Sequence, residues 1–341
     1  MDINQRLKAF VALGIKLKSI LNETCDQELT NDFKTVLEIS IAKNLWFTED
    51  SIKQSLSAIS TWLSEEALSA WLETYTEGLE NQKKETVAVI MAGNIPLVGF
   101  HDYLAVLLSG NNLIAKLSSE DPLLLKFVHH QLTEIEPDFK DTVEFTESRM
   151  AGFDKVIATG SNNTSKYFEQ YFGKYPNIIR KNRSSVAVLS GDESEKDFFE
   201  LGRDIFSYYG LGCRNVSKLM VPKEYDFDGF FRAMMNFDKV GENSKYVNNV
   251  DYNKAILLIN RHKFLDGGTL LLKEDQSLHS SVGILNYEFY DSKDQVESFI
   301  NKESNAIQCV VGKDYIPFGE AQQPGLMDYP DGVDVMEFLL K

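Results

Sequence analysis

Between residues 86 and 172 a short apolar run, a turn of small polar residues and an amphipathic segment recur in the same order. This alternation restricts the fold more than any other feature of the chain. Val87-Ala88-Val89-Ile90-Met91 is continuous and apolar, as a strand covered on both faces must be. It runs into Ala92-Gly93-Asn94-Ile95-Pro96-Leu97, after which Phe100 to Leu108 reads as a helix. Gly110-Asn111-Asn112 turns into Leu113-Ile114-Ala115-Lys116-Leu117, which Ser118-Ser119-Glu120-Asp121-Pro122 closes before a helix through about Leu132. Thr142 to Phe145 and Lys155 to Thr159 are two more strands. The second ends at Gly160-Ser161-Asn162-Asn163-Thr164-Ser165, ahead of a helical Lys166 to Phe172. Such alternation builds a parallel, doubly wound sheet, and ligands of these sheets sit at the carboxyl ends of the strands.

The flanks differ in texture. Residues 1 to about 82 have helical period: Phe10, Leu13, Leu17 and Leu21 in one segment, and Ile52, Leu56, Ile59 and Leu63 in a second. Asp50 or Ser51 is the expected cap of the second. A third carries Leu68, Trp71, Leu72 and Tyr75. After Asn177, six more strands are expected at Ser185 to Leu189, Lys218 to Val221, Ala255 to Ile259, Leu270 to Leu272, Gly283 to Tyr287 and Ile307 to Val311. Helices between them, notably Glu195 to Tyr208 and Asp294 to Ile300, make this a second α/β unit. The expected organisation is a helical segment and doubly wound sheet domain over 1–182, a second α/β domain over 183–312 and a tail over 313–341.

Charge excludes several functions. A formal net charge of −16 argues against nucleic acid, which needs clustered Lys and Arg. It also opposes anionic membranes, and no apolar stretch is long enough to span one. The N-terminus lacks a secretory signal pattern. Cys25, Cys213 and Cys309 are odd in number and far apart, so a disulfide framework is not expected, and no Cys/His cluster has zinc-site spacing. A reduced, cytoplasmic protein with no metal site is the expectation.

Of the three thiols, Cys213 has the setting of a nucleophile. Gly210-Leu211-Gly212-Cys213-Arg214-Asn215 is a bend of small residues ahead of the apolar Lys218-Leu219-Met220-Val221. Glycines leave a substrate room to approach, and a neighbouring cation favours thiolate over thiol. A small buried hydrophobe is the competing reading of a lone cysteine.

Taken together, Ala92 to Leu97, Gly110 to Ser118, Thr159-Gly160-Ser161 and Gly210 to Cys213 resemble, in order, four motifs of the aldehyde dehydrogenase superfamily. They are most similar to its bacterial long-chain acyl-CoA reductases of the LuxC type. Phe318-Gly319-Glu320-Ala321-Gln322-Gln323-Pro324 and Asp331-Gly332-Val333-Asp334 resemble tails of that group. The resemblance implies an aldehyde dehydrogenase-like α/β fold, with a doubly wound Rossmann-type cofactor domain and a second α/β catalytic domain. It also implies reduction of an acyl-CoA or acyl-carrier thioester to an aldehyde through a thioester on Cys213. Asn94 and the Cys213 backbone N–H would then be donors to the acyl oxygen, an arrangement worth about 3 kcal/mol. Lys116, Ser118 and Ser119 would bind the adenosine ribose, and Gly160 and Ser161 the cofactor phosphates.

Departures from the family pattern refine the expectation. Ser119 stands where an acidic residue would hold the ribose hydroxyls, which leaves room for a 2′-phosphate and favours NADP over NAD, although Glu120 is adjacent. Ser165 replaces a glycine. The junction Ile179-Arg180-Lys181-Asn182-Arg183-Ser184-Ser185 lacks the glutamate base of hydrolytic members, so the acyl group is expected to be reduced or passed to CoA. The cationic run there attracts phosphates or is a solvated loop. An acylating aldehyde dehydrogenase working in the oxidative direction and a non-catalytic scaffold of the same fold remain the alternatives. Homo-oligomerisation is left open.

Overall fold

The computed structural model describes residues 1–81 and 83–341, and the chain divides into two compact units. The first comprises Met1–Lys181 with Gly325–Lys341, and the second Asn182–Pro324.

The first unit begins with five helices: α1 (Ile3–Leu21), α2 (Gln27–Lys43), α3 (Glu49–Trp62), α4 (Glu65–Glu73) and α5 (Thr76–Asn81). Their apolar stripes are the core: Phe10, Leu13 and Leu17 of α1 lie against Ile52, Leu56 and Ile59 of α3, all essentially solvent-free. The cap of α3 is Thr48, two residues ahead of the expected Asp50. Ser51 serves instead as the reciprocal partner, its hydroxyl accepting from the Thr48 N–H while Thr48 Oγ1 accepts from the Ser51 N–H.

Then come β1 (Thr86–Ile90), α6 (Phe100–Leu108), β2 (Asn112–Lys116), α7 (Leu124–Ile135), β3 (Val143–Thr146), β4 (Lys155–Thr159), α8 (Asn162–Phe172) and β5 (Asn177–Arg180). The five strands form one parallel sheet in the order β3-β2-β1-β4-β5. From β1 the chain steps outward through β2 to β3, then returns to β4 on the other side of β1. The order therefore reverses between β1 and β4, and a crevice opens there at the carboxyl ends.

The second unit holds β6 (Ser184–Val188), α9 (Glu195–Phe206), β7 (Val216–Pro222), α10 (Asp228–Met234), α11 (Ser244–Ile259), β8 (Leu265–Asp266), β9 (Leu271–Glu274), β10 (Ile284–Tyr290), α12 (Lys293–Lys302) and β11 (Ile307–Gly312). The sheet order is β11-β6-β7-β10-β9-β8, parallel except at β8. The strand expected at Ala255 to Ile259 is instead the last part of α11. Its short apolar run is ambiguous alone, but the buried residues Tyr246, Val250, Asn253 and Leu257 show that a 3.6-residue period begins upstream. Residues 313–324 stay with this unit. Residues 325–341 return to the first and close with α13 (Val335–Leu340), which buries Val335, Met336 and Leu339.

Candidate active site

Six residues singled out in the first unit, Asn94, Lys116, Ser118, Ser119, Gly160 and Ser161, lie at the carboxyl ends of β1, β2 and β4. Ile90 is in register with Lys116 on one side and Ala158 on the other, so the turns after the three strands start level. Lys116 ends β2 half-buried, Ser118 follows it, and Ser119 is exposed. Gly160 and Ser161 link β4 to α8. Ser161 caps that helix, its Oγ accepting from the Thr164 N–H at 3.2 Å. Gly160 is there for packing, since a Cβ would come within 2.8 Å of the Phe168 ring.

Asn94 is exposed, on a loop whose shape is set by buried groups on either side. A Cβ on Gly93 would meet Ser118 Oγ at 2.6 Å, so the loop after β1 rests directly on the loop after β2. Asn44, buried at the end of α2, donates its side-chain N–H to the Gly93 carbonyl at 3.2 Å. Asp121, also buried, accepts from the Leu97 N–H at 2.9 Å. Leu97 sits at φ 57, a left-handed conformation that a branched side chain adopts only when held. Burial raises the Asp121 carboxyl to about 6, against the lowering effect of the Leu97 and Leu124 N–H groups, and its Oδ1 is buried without a partner.

In the second unit Cys213 is exposed and in no disulfide, so the buried-hydrophobe reading does not describe it. Its turn leads straight into β7. The approach is strained: Tyr208, Tyr209 and Gly210 are three successive residues with left-handed φ of 51, 57 and 76. Buried Asn215 holds this path together. Its side-chain N–H donors reach the carbonyls of Asp204 at 3.1 Å and Ser207 at 2.7 Å, at the end of α9, while its Oδ1 accepts from the Gly212 N–H at 2.8 Å. Behind the turn, the hydroxyl of fully buried Ser185 donates to the Cys213 carbonyl at 3.0 Å. A reactive Sγ needs this kind of fixed backbone.

Arg214, expected as the cation that favours thiolate, has other engagements. It donates to the Ala321 carbonyl at 3.3 Å and to the Cys309 thiol, whose pKa burial nonetheless raises. The 319–321 segment is anchored in turn by Asp204 of α9, which accepts from the Gly319 and Ala321 N–H groups at 2.7 and 3.1 Å. Burial pushes the Asp204 carboxyl up to about 6. The tail that resembles the reductase group is thus tied to the residue after the cysteine.

The cationic junction is divided: Arg180 is committed within the fold, while Lys181 stays exposed. Arg180 makes a bidentate pair with Asp102 of α6, both side chains 5% exposed. Lys181 pairs with Glu169, and Arg183 donates to the Ile307 carbonyl. Asn44, Asp121, Ser185, Asp204 and Asn215 were not singled out from the sequence. Asn44, Asp121 and Ser185 are ordinary polar residues more than twenty positions from the turns they support, whereas Asn215 stands two residues after Cys213 and is given its role by burial alone. His101 of α6 is buried, its ring among Trp62, Trp71 and Tyr329.

A sequence model of the family described as Acyl-CoA reductase (LuxC) matches residues 14–225. No curated protein sequence matches the chain significantly. Similar solved structures include aldehyde dehydrogenase 21 from Physcomitrella patens in complex with succinate, 13% identical with a TM-score of 0.63, covering 92% of this chain and 74% of the other. An aldehyde dehydrogenase from Bacillus cereus in its NAD+ complex is 13% identical at 0.63, covering 91% and 72%. An aldehyde dehydrogenase from Mycobacterium tuberculosis complexed with NAD+ is 13% identical at 0.62, covering 91% and 73%. At such identities the likeness is one of fold, and it extends over both units.

Proposed function

Because the chain belongs to the acyl-CoA reductase (LuxC) family, we propose that it reduces its acyl thioester through a covalent thioester on Cys213. The family and the aldehyde dehydrogenase fold make the chain an NAD(P)H-dependent, aldehyde-forming oxidoreductase that acts on a fatty acyl substrate. What carries the further step is the exposure of Cys213 on a turn fixed by Asn215 and Ser185.

In this reading the Cys213 thiolate forms a C–S bond to the acyl carbon, and the C–S bond to the CoA or carrier sulfur breaks. That sulfur departs as a thiolate and takes up a proton. When the acyl carbon is reduced, the bond to Sγ breaks, aldehyde leaves and the thiolate is restored. The negative charge that gathers on the acyl oxygen calls for donors, and Asn94 and the Cys213 N–H are proposed for that work. Asn94→Ala then lowers kcat with little change in KM. The junction to the second unit carries no carboxylate that would activate water in place of the reductant.

The residues of the first unit fit a nicotinamide dinucleotide. Its crevice lies where the strand order reverses, the eleven-residue α8 starts there, and Lys116 places a cation at the next strand end. Bound there, the reduced cofactor supplies the two electrons and hydrogen of the reduction. Gly160 and Ser161 are proposed for its phosphates, and Lys116, Ser118 and Ser119 for its ribose. The exposed hydroxyl of Ser119 beside Lys116 supports NADP over NAD.

Single-turnover labelling with a radiolabelled acyl-CoA tests the nucleophile. The wild-type chain should carry a hydroxylamine-sensitive label that Cys213→Ala lacks, with nucleotide binding retained and reduction abolished. Reduction that persists in Cys213→Ala overturns the assignment.

A further inference from the structure

Helix α11 turns a second apolar face outward. Its inner face is Tyr246, Val250, Asn253 and Leu257. Tyr252, Ile256 and Ile259, spaced by four and three residues, form an outer stripe. Tyr252 is 66% and Ile259 74% exposed, and Leu258 beside them 60%. Leu265 of β8 is also exposed, and β8 is tied to the helix by the Lys254–Asp266 ion pair. Single exposed apolar residues need no explanation, but a cluster rimmed by polar groups marks a contact surface.

The helix ends in a reversal that sets cations on the rim of this stripe. The His262 N–H donates to the Leu257 carbonyl at 2.9 Å and the Arg261 N–H to that of Leu258 at 3.1 Å, the paired bonds of a Schellman cap. The left-handed position in such a cap usually holds glycine; here Arg261 takes it, at φ 55. Arg261, His262 and Lys263 are all exposed. Between residues 244 and 266 four Lys and Arg stand against two Asp, in a chain of formal net charge −16. The overall acidity opposes anionic surfaces at long range. At physiological ionic strength, however, charges beyond about 8 Å are screened, so a surface in contact here meets the patch rather than the whole chain.

From this cation-rimmed apolar stripe we propose that α11 and β8 form a docking surface for an anionic lipid bilayer. Ile256, Leu258 and Ile259 enter the interfacial layer, Tyr252 lies at headgroup level, and Arg261 and Lys263 meet the lipid phosphates. The attachment is peripheral: among the described residues no helix is long and apolar enough to cross a membrane. A second copy of the chain is the competing occupant, and the oligomeric state measured below separates it from a bilayer. Fatty acyl chains and aldehydes partition into bilayers, so docking would bring the enzyme to its substrate. That benefit rests on the proposed acyl reduction, whereas the docking surface does not.

The test is co-sedimentation of the full chain, without substrate, with vesicles of equal phosphatidylglycerol and phosphatidylcholine and with vesicles of phosphatidylcholine alone. Binding is expected on the anionic vesicles, weaker in high salt, and reduced about fivefold by each of Arg261→Gln and Lys263→Gln. Ile259→Asp, at an exposed position that folding does not need buried, should abolish it with the thermal transition unchanged. Failure to bind anionic vesicles, or binding indifferent to all three substitutions, overturns the proposal. So does a concentration-dependent dimer removed by Ile259→Asp in the absence of vesicle binding, which would give the patch to a second copy. Vesicle binding is read apart from turnover, so a failure of docking and a failure of catalysis are distinguishable.

Discussion

Asp121 and Asn215 do for the two candidate catalytic residues what the residues next to those in sequence cannot. Each is buried and hydrogen-bonds backbone groups of a strained turn: the Leu97 N–H in one case, Gly212 and the end of α9 in the other. The raised Asp121 carboxyl links this support to pH. A carboxyl whose folded pKa lies above its unfolded value contributes stability that is fully present below about 3.8 and lost as pH rises through about 6. A rise of that size corresponds to about 2–3 kcal/mol. Asp121→Asn should remove that dependence: the stability difference between wild type and variant, from urea denaturation at pH 4 and pH 7, is expected to change by an amount of that order. A flat difference would show that the buried site does not hold its proton. Cofactor choice is argued at the same scale. Ser119→Glu places a carboxylate where it accepts from ribose hydroxyls and repels a 2′-phosphate, so the NADPH-to-NADH ratio of kcat/KM should fall at least about tenfold, roughly 1.4 kcal/mol.

Elements meet where their side chains allow, and α1 against α3 shows how closely. Gly14 lies in the middle of α1, where alanine would favour the helix by about 1 kcal/mol. Yet a Cβ there would stand 2.7 Å from Leu63 Cβ and 3.0 Å from the Leu63 carbonyl oxygen, and a backbone atom does not yield cheaply. Overpacking of this kind costs about 1–3 kcal/mol, so contact outweighs propensity. Gly14→Ala is expected to lower the thermal midpoint of the chain, and a rise would mean that the two helices can separate freely. The α11 strand-to-helix correction belongs at this scale as well. Ala255 to Ile259 satisfies both templates over five residues, and only the upstream residues Tyr246, Val250 and Asn253 select the helix.

Across each whole unit, long-range polar ties do the joining. In the first, the Asp102–Arg180 pair links α6 to the edge strand β5, and the buried Lys155 ammonium bonds the Leu339 carbonyl of the returning C-terminal segment at 3.1 Å. Trp71 Nε1 donates to the Tyr329 hydroxyl at 2.9 Å, fastening the same segment to α4. Removing one member of a buried pair strands the other charge, at about 3–5 kcal/mol. Asp102→Ala should therefore destabilise the chain by that order in chemical denaturation. A cost under about 1 kcal/mol, typical of an exposed pair, would contradict the burial of Arg180.

The local sequence determined the parallel sheet of the first unit, its strand-ending turns and the helical N-terminus, because apolar period and small-residue turns act within a few residues. It also marked Cys213 and Asn94, since glycine-bearing bends announce themselves. What it could not determine was everything a distant side chain decides: that Asn44 and Asp121 hold the Asn94 loop, that Ser185 and the Asp204-bound tail frame Cys213, that Arg180 is neutralised within the core, and that residues 325–341 rejoin the first unit. Those depend on which polar groups lose their water together when the chain closes. Burial of that kind leaves no periodic trace in the order of the residues.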